Sequence, residues 1–207
     1  MLSWLYGLDV RLFFLMNREY RLEIFDWLMP FATNPKNFKW PLVLVFLLIL
    51  ARRDKRLLIT LAFLAVGLGV SDSLSSLAKS LFQRARPCQV LEGVNVLVGC
   101  GRSFSFPSNH AANIFAVAFL IRARHRGLGF FFFPVALFIA YSRVYVGVHF
   151  PSDVLGGAAL GLGVGQAMIF CQEKARPMLS LAKVGAIKRW FLKVYEKSRG
   201  KVWPGRV

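Results

Sequence analysis

The chain has 207 residues, of which 56% are hydrophobic and 20 are Phe, and it carries a formal charge of +17. An apolar share above the roughly 45–50% of soluble domains excludes an ordinary soluble fold and leaves one membrane domain of a few helices, each needing about 20 apolar residues to cross. The charge does not signal a nucleic-acid partner, because most of the Lys and Arg flank apolar segments, where they report topology.

In chain order, Met1 to Met16 and Ile24 to Thr33 are apolar but short, broken by Arg11, by the run Asn17-Arg18-Glu19-Tyr20-Arg21 and by Pro30. They are expected as interfacial helices, with a sixth, imperfect crossing as the alternative. A cleavable signal peptide is not expected, for want of a basic n-region and a small-residue cleavage site. Five spanning helices should follow: Trp40 to Ala51 with borrowed flanks, Leu57 to Leu77, Ala111 to Ile121 with its flanks, Leu128 to Val148 and Val154 to Cys171. The fold class expected is therefore all-α, a polytopic membrane helix bundle with interfacial helices at both ends. It divides into an N-terminal segment 1–39, a transmembrane domain 40–172 and a basic cytoplasmic tail 173–207.

Arg52, Arg53, Lys55 and Arg56, then Arg122, Arg124 and Arg126, then the cations from Lys174 onward share one face by parity. The positive-inside rule makes that face cytoplasmic. In the tail, Val184, Ile187, Phe191 and Val194 recur at helical spacing beside Lys183, Lys188, Arg189, Lys193 and Lys197. That pattern suits an amphipathic helix on anionic lipid headgroups, with a solvated basic tail as the alternative.

Three polar blocks remain, all on the outward face. The first is Lys79-(six residues)-Arg86-Pro87. If the second span continues to about Ala85, the seven-residue spacing places both cations on one side of a helix, an anion clamp in which Arg offers bidentate geometry and Lys a point charge. Snorkelling of both chains to the headgroups is the competing reading. The second block, Pro107-Ser108-Asn109-His110, opens the third span, where free backbone N–H groups make a phosphate seat, Ser108 can cap the helix and donate its hydroxyl, and His110 lies in the first turn.

In the third block Ser142-Arg143 closes the fourth span, and His149 and Asp153 lie four residues apart around Pro151, a residue suited to starting the fifth helix. A carboxylate that holds one imidazole N–H frees the other nitrogen as a nucleophile. Each block alone has a structural explanation. Together, on one face of a membrane protein where charged groups are costly, they point to chemistry on a phosphate ester.

The order K-x6-R-P, P-S-x-H, S-R-x5-H-x3-D resembles the type 2 phosphatidic acid phosphatase superfamily, which shares its pocket with vanadium haloperoxidases and bacterial acid phosphatases. One departure is Asn109, where that family usually has Gly. The resemblance implies that His149 attacks phosphorus to form a phosphohistidine, that Asp153 orients it, and that His110 protonates the leaving oxygen and then activates water. It implies that Lys79, Arg86, Ser108, Asn109 and Arg143 hold the phosphate without a metal or any other cofactor. No Asp or Cys cluster of ligand spacing argues for a metal site.

Asp72, Arg84 and Arg102 are candidate supporting residues. Asp72 either supports Lys79 or ties helices together, with the tie slightly favoured. Gly156, Gly157, Gly161, Gly163 and Gly165 suit close packing of the fifth span. His125 lies on the cytoplasmic side, outside the chemistry. Cys88 and Cys100 share an outward loop, where a disulfide and two free thiols are the alternatives.

The expected function is a membrane lipid phosphatase in a bacterial cytoplasmic (inner) membrane, its site facing the periplasm or cell exterior. Arg84 and Arg102 suit a strongly anionic headgroup such as lipid A or a pyrophosphate, and for a Gram-negative source lipid A 1-phosphate is the lead substrate; phosphatidylglycerol phosphate, phosphatidic acid and polyprenyl pyrophosphate are the alternatives. A phosphotransferase using the same intermediate, a lipid-binding or transport protein and, remotely, a haloperoxidase are the competing classes. The intact His110, His149 and Asp153 argue against binding alone.

Overall fold

A computed structural model describes residues 2–52 and 55–179. Every regular element among them is helical: α1 (Leu2–Phe14), α2 (Glu23–Thr33), α3 (Lys39–Arg52), α4 (Lys55–Phe82), α5 (Pro87–Val90), α6 (Asn109–Arg124), α7 (Arg126–Tyr145) and α8 (Pro151–Leu179). The protein is an all-α membrane bundle. Among the described residues α4, α7 and α8 are long and apolar enough to cross a membrane, whereas α3 and α6 have 14 and 16 residues. Among the described residues, those up to Ile169 form one compact unit, and 170–179 fall in a second. The amphipathic pattern read in the tail lies outside the described residues.

Helix boundaries follow local chemistry. Alignment of Lys79 with Arg86 on one helix requires the second span to continue to about Ala85, but α4 stops at Phe82, where Gln83 takes a left-handed φ of 46° and ends the helix as such residues do. Pro87 holds Arg86 extended, at φ −80° and ψ 153°. Lys79 and Arg86 therefore come from different elements and not from two turns of one helix. Pro151 opens α8 as expected, since its missing N–H costs nothing in a first turn.

Small residues set the spacing of the bundle. A Cβ on Gly157 would lie 2.4 Å from the Ser108 carbonyl oxygen, and one on Gly161 only 2.1 Å from that of Ala112. These two glycines let α8 pack directly on the start of α6. Gly156 and Gly165 also face close neighbours, at 2.4 Å and 3.1 Å, but Gly163 meets nothing within 4 Å, so close packing explains four of the five glycines.

The N-terminal segment is built into this unit. Phe13 packs with Ala111, Phe115, Ala136 and Phe150 in one cluster, and Met29 with Tyr145 and Val148 in another. Buried Asn17 donates to the carbonyls of Asn95 (2.8 Å) and Tyr145 (2.7 Å) and accepts from Asn95 N (2.8 Å). Cys88 and Cys100 form a disulfide, which closes the loop that follows the first block; Cys171 is free.

Candidate active site

His149 occupies the short turn between α7 and α8. Gly147 makes that turn at φ +86°, and a Cβ there would meet the Asn95 carbonyl oxygen at 2.7 Å, so only glycine serves. The imidazole is 2% exposed. Its Nδ1 faces Asp153 Oδ2 at 3.5 Å and Ser105 Oγ at 3.4 Å, while Nε2 faces Arg86 Nη1 at 3.4 Å. Burial, only partly opposed by the hydrogen bond to Asp153, pushes the ring down to about 4. It is therefore neutral at physiological pH, the form with a nucleophilic lone pair.

Asp153 is fully buried and held from several sides. Oδ2 accepts from Ser105 Oγ and from Phe150 N (2.8 Å); Oδ1 accepts from Arg84 Nη1 (2.7 Å). Arg84 also donates to Ser152 Oγ (2.6 Å) and to Asp9 Oδ2 (2.5 Å), with its guanidinium 4.1 Å over the Phe150 ring. Asp9 in turn accepts from Ser152 N (2.9 Å) and from Ser152 Oγ. A chain of ionic hydrogen bonds thus runs from α1 to the histidine.

Arg86 lies against the opposite edge of the ring, with Lys79 and Arg143 as its charged neighbours. Arg86 is anchored by Ser103 O (2.8 Å), Ser103 Oγ (2.9 Å) and Val148 O (3.1 Å). Lys79 Nζ donates to Phe104 O (2.8 Å) and Pro107 O (2.7 Å), fixing the loop ahead of α6. Arg143, 9% exposed, donates from Nη1 to Thr33 Oγ1, and its Nε has no partner.

Ser108 stands at the N-cap position of α6, but the expected side-chain cap is absent. Its amide is tied to Asp153 O (3.0 Å) and its buried Oγ has no hydrogen-bond partner. Buried polar atoms are rarely left unpaired. A phosphate oxygen would satisfy both this hydroxyl and Arg143 Nε.

His110, half-buried in the first turn of α6, hydrogen-bonds the Thr33 backbone and has Arg143, Arg86 and Asp72 as charged neighbours. Of the candidate supports, Arg84 is central. Asp72 accepts from Asn109 Nδ2 (3.2 Å) and Asn113 Nδ2 (3.0 Å), a tie between α4 and α6 and no prop for Lys79. Arg102 is exposed, and among the described residues no hydrogen bond or ion pair joins it to the cluster. His125 lies in the turn at the far end of α6.

Asp9, Thr33 and Ser105 complete the cluster and were not found from sequence. The available signal was Asp9 itself, a carboxylate in an apolar segment, where charge is expensive. Lys79, Arg84, Arg86 and Arg143 outnumber Asp9, Asp72 and Asp153 around the site. A cationic surplus suits a phosphate monoester, which is anionic near neutral pH.

Residues 60–177 match the PAP2 superfamily, and the chain belongs to it. It is 30% identical to an undecaprenyl-diphosphatase of Sulfolobus acidocaldarius over 75% of this chain and 74% of that one. It is 32% identical to a lipid A 4'-phosphatase of Bacteroides thetaiotaomicron over 67% of this chain and 59% of that one. Among solved structures, that of Aquifex aeolicus LpxE superposes with a TM-score of 0.64 and 29% identity, covering 78% of this chain and 94% of that one. The chain spans about 55–66% of the length of several curated relatives that it matches.

Proposed function

We propose that this PAP2 member is an integral membrane lipid phosphatase acting through a phosphohistidine on His149, with lipid A 1-phosphate as its lead substrate. The observation that carries the reading is the divided environment of His149: Nδ1 faces Asp153 and Ser105, Nε2 faces Arg86. Asp153 keeps the proton on Nδ1, so the Nε2 lone pair attacks phosphorus.

As the N–P bond forms, the bond from phosphorus to the lipid oxygen breaks, and His110 gives that oxygen its proton. His110 then takes a proton from water, whose oxygen displaces Nε2 and releases inorganic phosphate. Lys79, Arg86 and Arg143, with Ser108 Oγ and the amides at the start of α6, stabilise the three equatorial oxygens. In this scheme those cations supply the charge stabilisation that a metal gives in other phosphoryl-transfer enzymes.

The charge surplus supports a phosphate ester, and the likeness to a lipid A 4'-phosphatase supports the lead substrate. Phosphatidylglycerol phosphate, phosphatidic acid and polyprenyl pyrophosphate are the alternatives, and passage of the phosphoryl group to a second lipid is the alternative outcome of the same intermediate. In the proposed topology the enzyme sits in the bacterial cytoplasmic membrane, its site facing the periplasm or cell exterior. Purified protein given a single ³²P-labelled lipid, with no added acceptor, should release phosphate and, on rapid denaturation, yield acid-labile label on His149. Turnover without label on that residue would overturn the mechanism.

A further inference from the structure

The mechanism leaves one polar cluster unused. Asp72 is an exposed carboxylate within the long apolar helix α4, and its Oδ1 receives the side-chain amides of both Asn109 and Asn113. Once those amides are given to Asp72, the Oδ1 atoms of Asn109 and Asn113 are buried and have no hydrogen-bond partner. Among the described residues no donor reaches Asp72 Oδ2. A tie between helices explains the two bonds made. It does not explain two amide oxygens left unpaired in a low-dielectric setting, where such groups are costly.

Position gives these acceptors a use. Asn109 directly precedes His110, Asn113 is one helical turn farther along α6 on the same side, and Asp72 is a charged neighbour of His110. In the reading proposed above His110 protonates the leaving oxygen, so the atoms bound next to that oxygen on the lipid side lie against this cluster.

Asp72 Oδ2 and the two amide oxygens are acceptors only. Their ligand must bring donors, and a second phosphate would bring acceptors and negative charge toward Asp72. We infer that Asp72, Asn109 and Asn113 form a leaving-group subsite that takes hydroxyl or amide N–H donors, so that the preferred substrate is a saccharide phosphate lipid and not a polyprenyl diphosphate. The inference rests on the lipid phosphatase reading and adds the class of leaving group to it.

The test measures kcat/KM of the purified protein, in one mixed-micelle system, for lipid A carrying a 1-phosphate, undecaprenyl diphosphate and phosphatidic acid. Wild type should favour lipid A over the other two. Asp72→Asn and Asn113→Ala should each reduce that preference at least about tenfold, through loss on lipid A, because a site built to accept donors discriminates by leaving its own polar groups unpaired. His125→Ala should keep the wild-type ratio.

A wild type that prefers the diphosphate, or ratios that stay within about twofold of wild type in both variants, would overturn the subsite while leaving the phosphatase standing. Should Asp72→Asn fail to fold, Asn113→Ala decides alone. Failure of the underlying reading looks different: no lipid is hydrolysed, or His149→Ala hydrolyses all three.

Discussion

Asp9 and Arg84, 75 residues apart in sequence, meet at 2.5 Å, and the same guanidinium donates to Asp153 at 2.7 Å. The carboxylate of the first helix thereby fixes the group that fixes the residue orienting His149. Removing one partner of a largely buried charge pair leaves the other uncompensated. Asp9→Asn should therefore lower kcat, by about tenfold or more, with little change in KM, the pattern expected when transition-state geometry and not binding is lost. An equal rise in KM with unchanged kcat would show that Asp9 acts on binding.

His149 and His110 should each be indispensable. Replacing either by Ala should cost at least about a hundredfold in turnover, since general acid–base assistance alone contributes roughly 10²–10⁴. His125→Ala should stay near wild type. Initial rates of phosphate release from a single lipid check all three.

The titration of His149 can be read directly, because the chain has 3 histidines. In a His110→Ala/His125→Ala protein, ¹⁵N-imidazole NMR should show His149 neutral until the pH falls to about 4, as burial dictates. The linkage has a definite sign. With the folded value below the unfolded value of about 6.5, the unfolded chain takes the proton first, so this group's contribution to stability is complete above about pH 6.5 and declines as pH falls through the window to about 4. An imidazole that titrates near 6.5 in the folded protein would contradict the buried, neutral nucleophile.

Packing between α6 and α8 gives a paired test. Gly161→Ala puts a methyl group 2.1 Å from the Ala112 carbonyl oxygen, whereas Gly163→Ala meets nothing within 4 Å. Overpacking of this kind costs about 1–3 kcal/mol. Gly161→Ala should lower Tm in detergent by several degrees, while Gly163→Ala should leave it unchanged or raise it slightly through better helix propensity.

The candidate catalytic groups are legible in sequence because the proposed chemistry constrains local spacing. His149 and Asp153 are linked across one turn, and Pro107 through His110 must open a helix. Lys79 and Arg86 are not aligned along one helix, because Gln83 ends α4 between them; the loop from Ser103 to Pro107 holds both instead. Asp9, Thr33 and Ser105 left no comparable trace, since their partners lie 75, 110 and 48 residues away. From sequence alone, a carboxylate in a short apolar helix is indistinguishable from one that snorkels to a headgroup. Asn109 was legible as a departure from the family's usual Gly, but its pairing with Asp72 emerges only when α4 and α6 are placed side by side.

The bond from Ser152 N to Asp9 Oδ1 spans 143 residues, so α1 receives one of its partners only once α8 has been made. Synthesis runs from the N-terminus, and α1 must wait for every intervening helix before that contact can close. The family match begins at residue 60. A fragment cut there would keep every motif yet leave Arg84 without Asp9 and Arg143 without Thr33, so the unit that inherits the fold is smaller than the unit that must assemble to work.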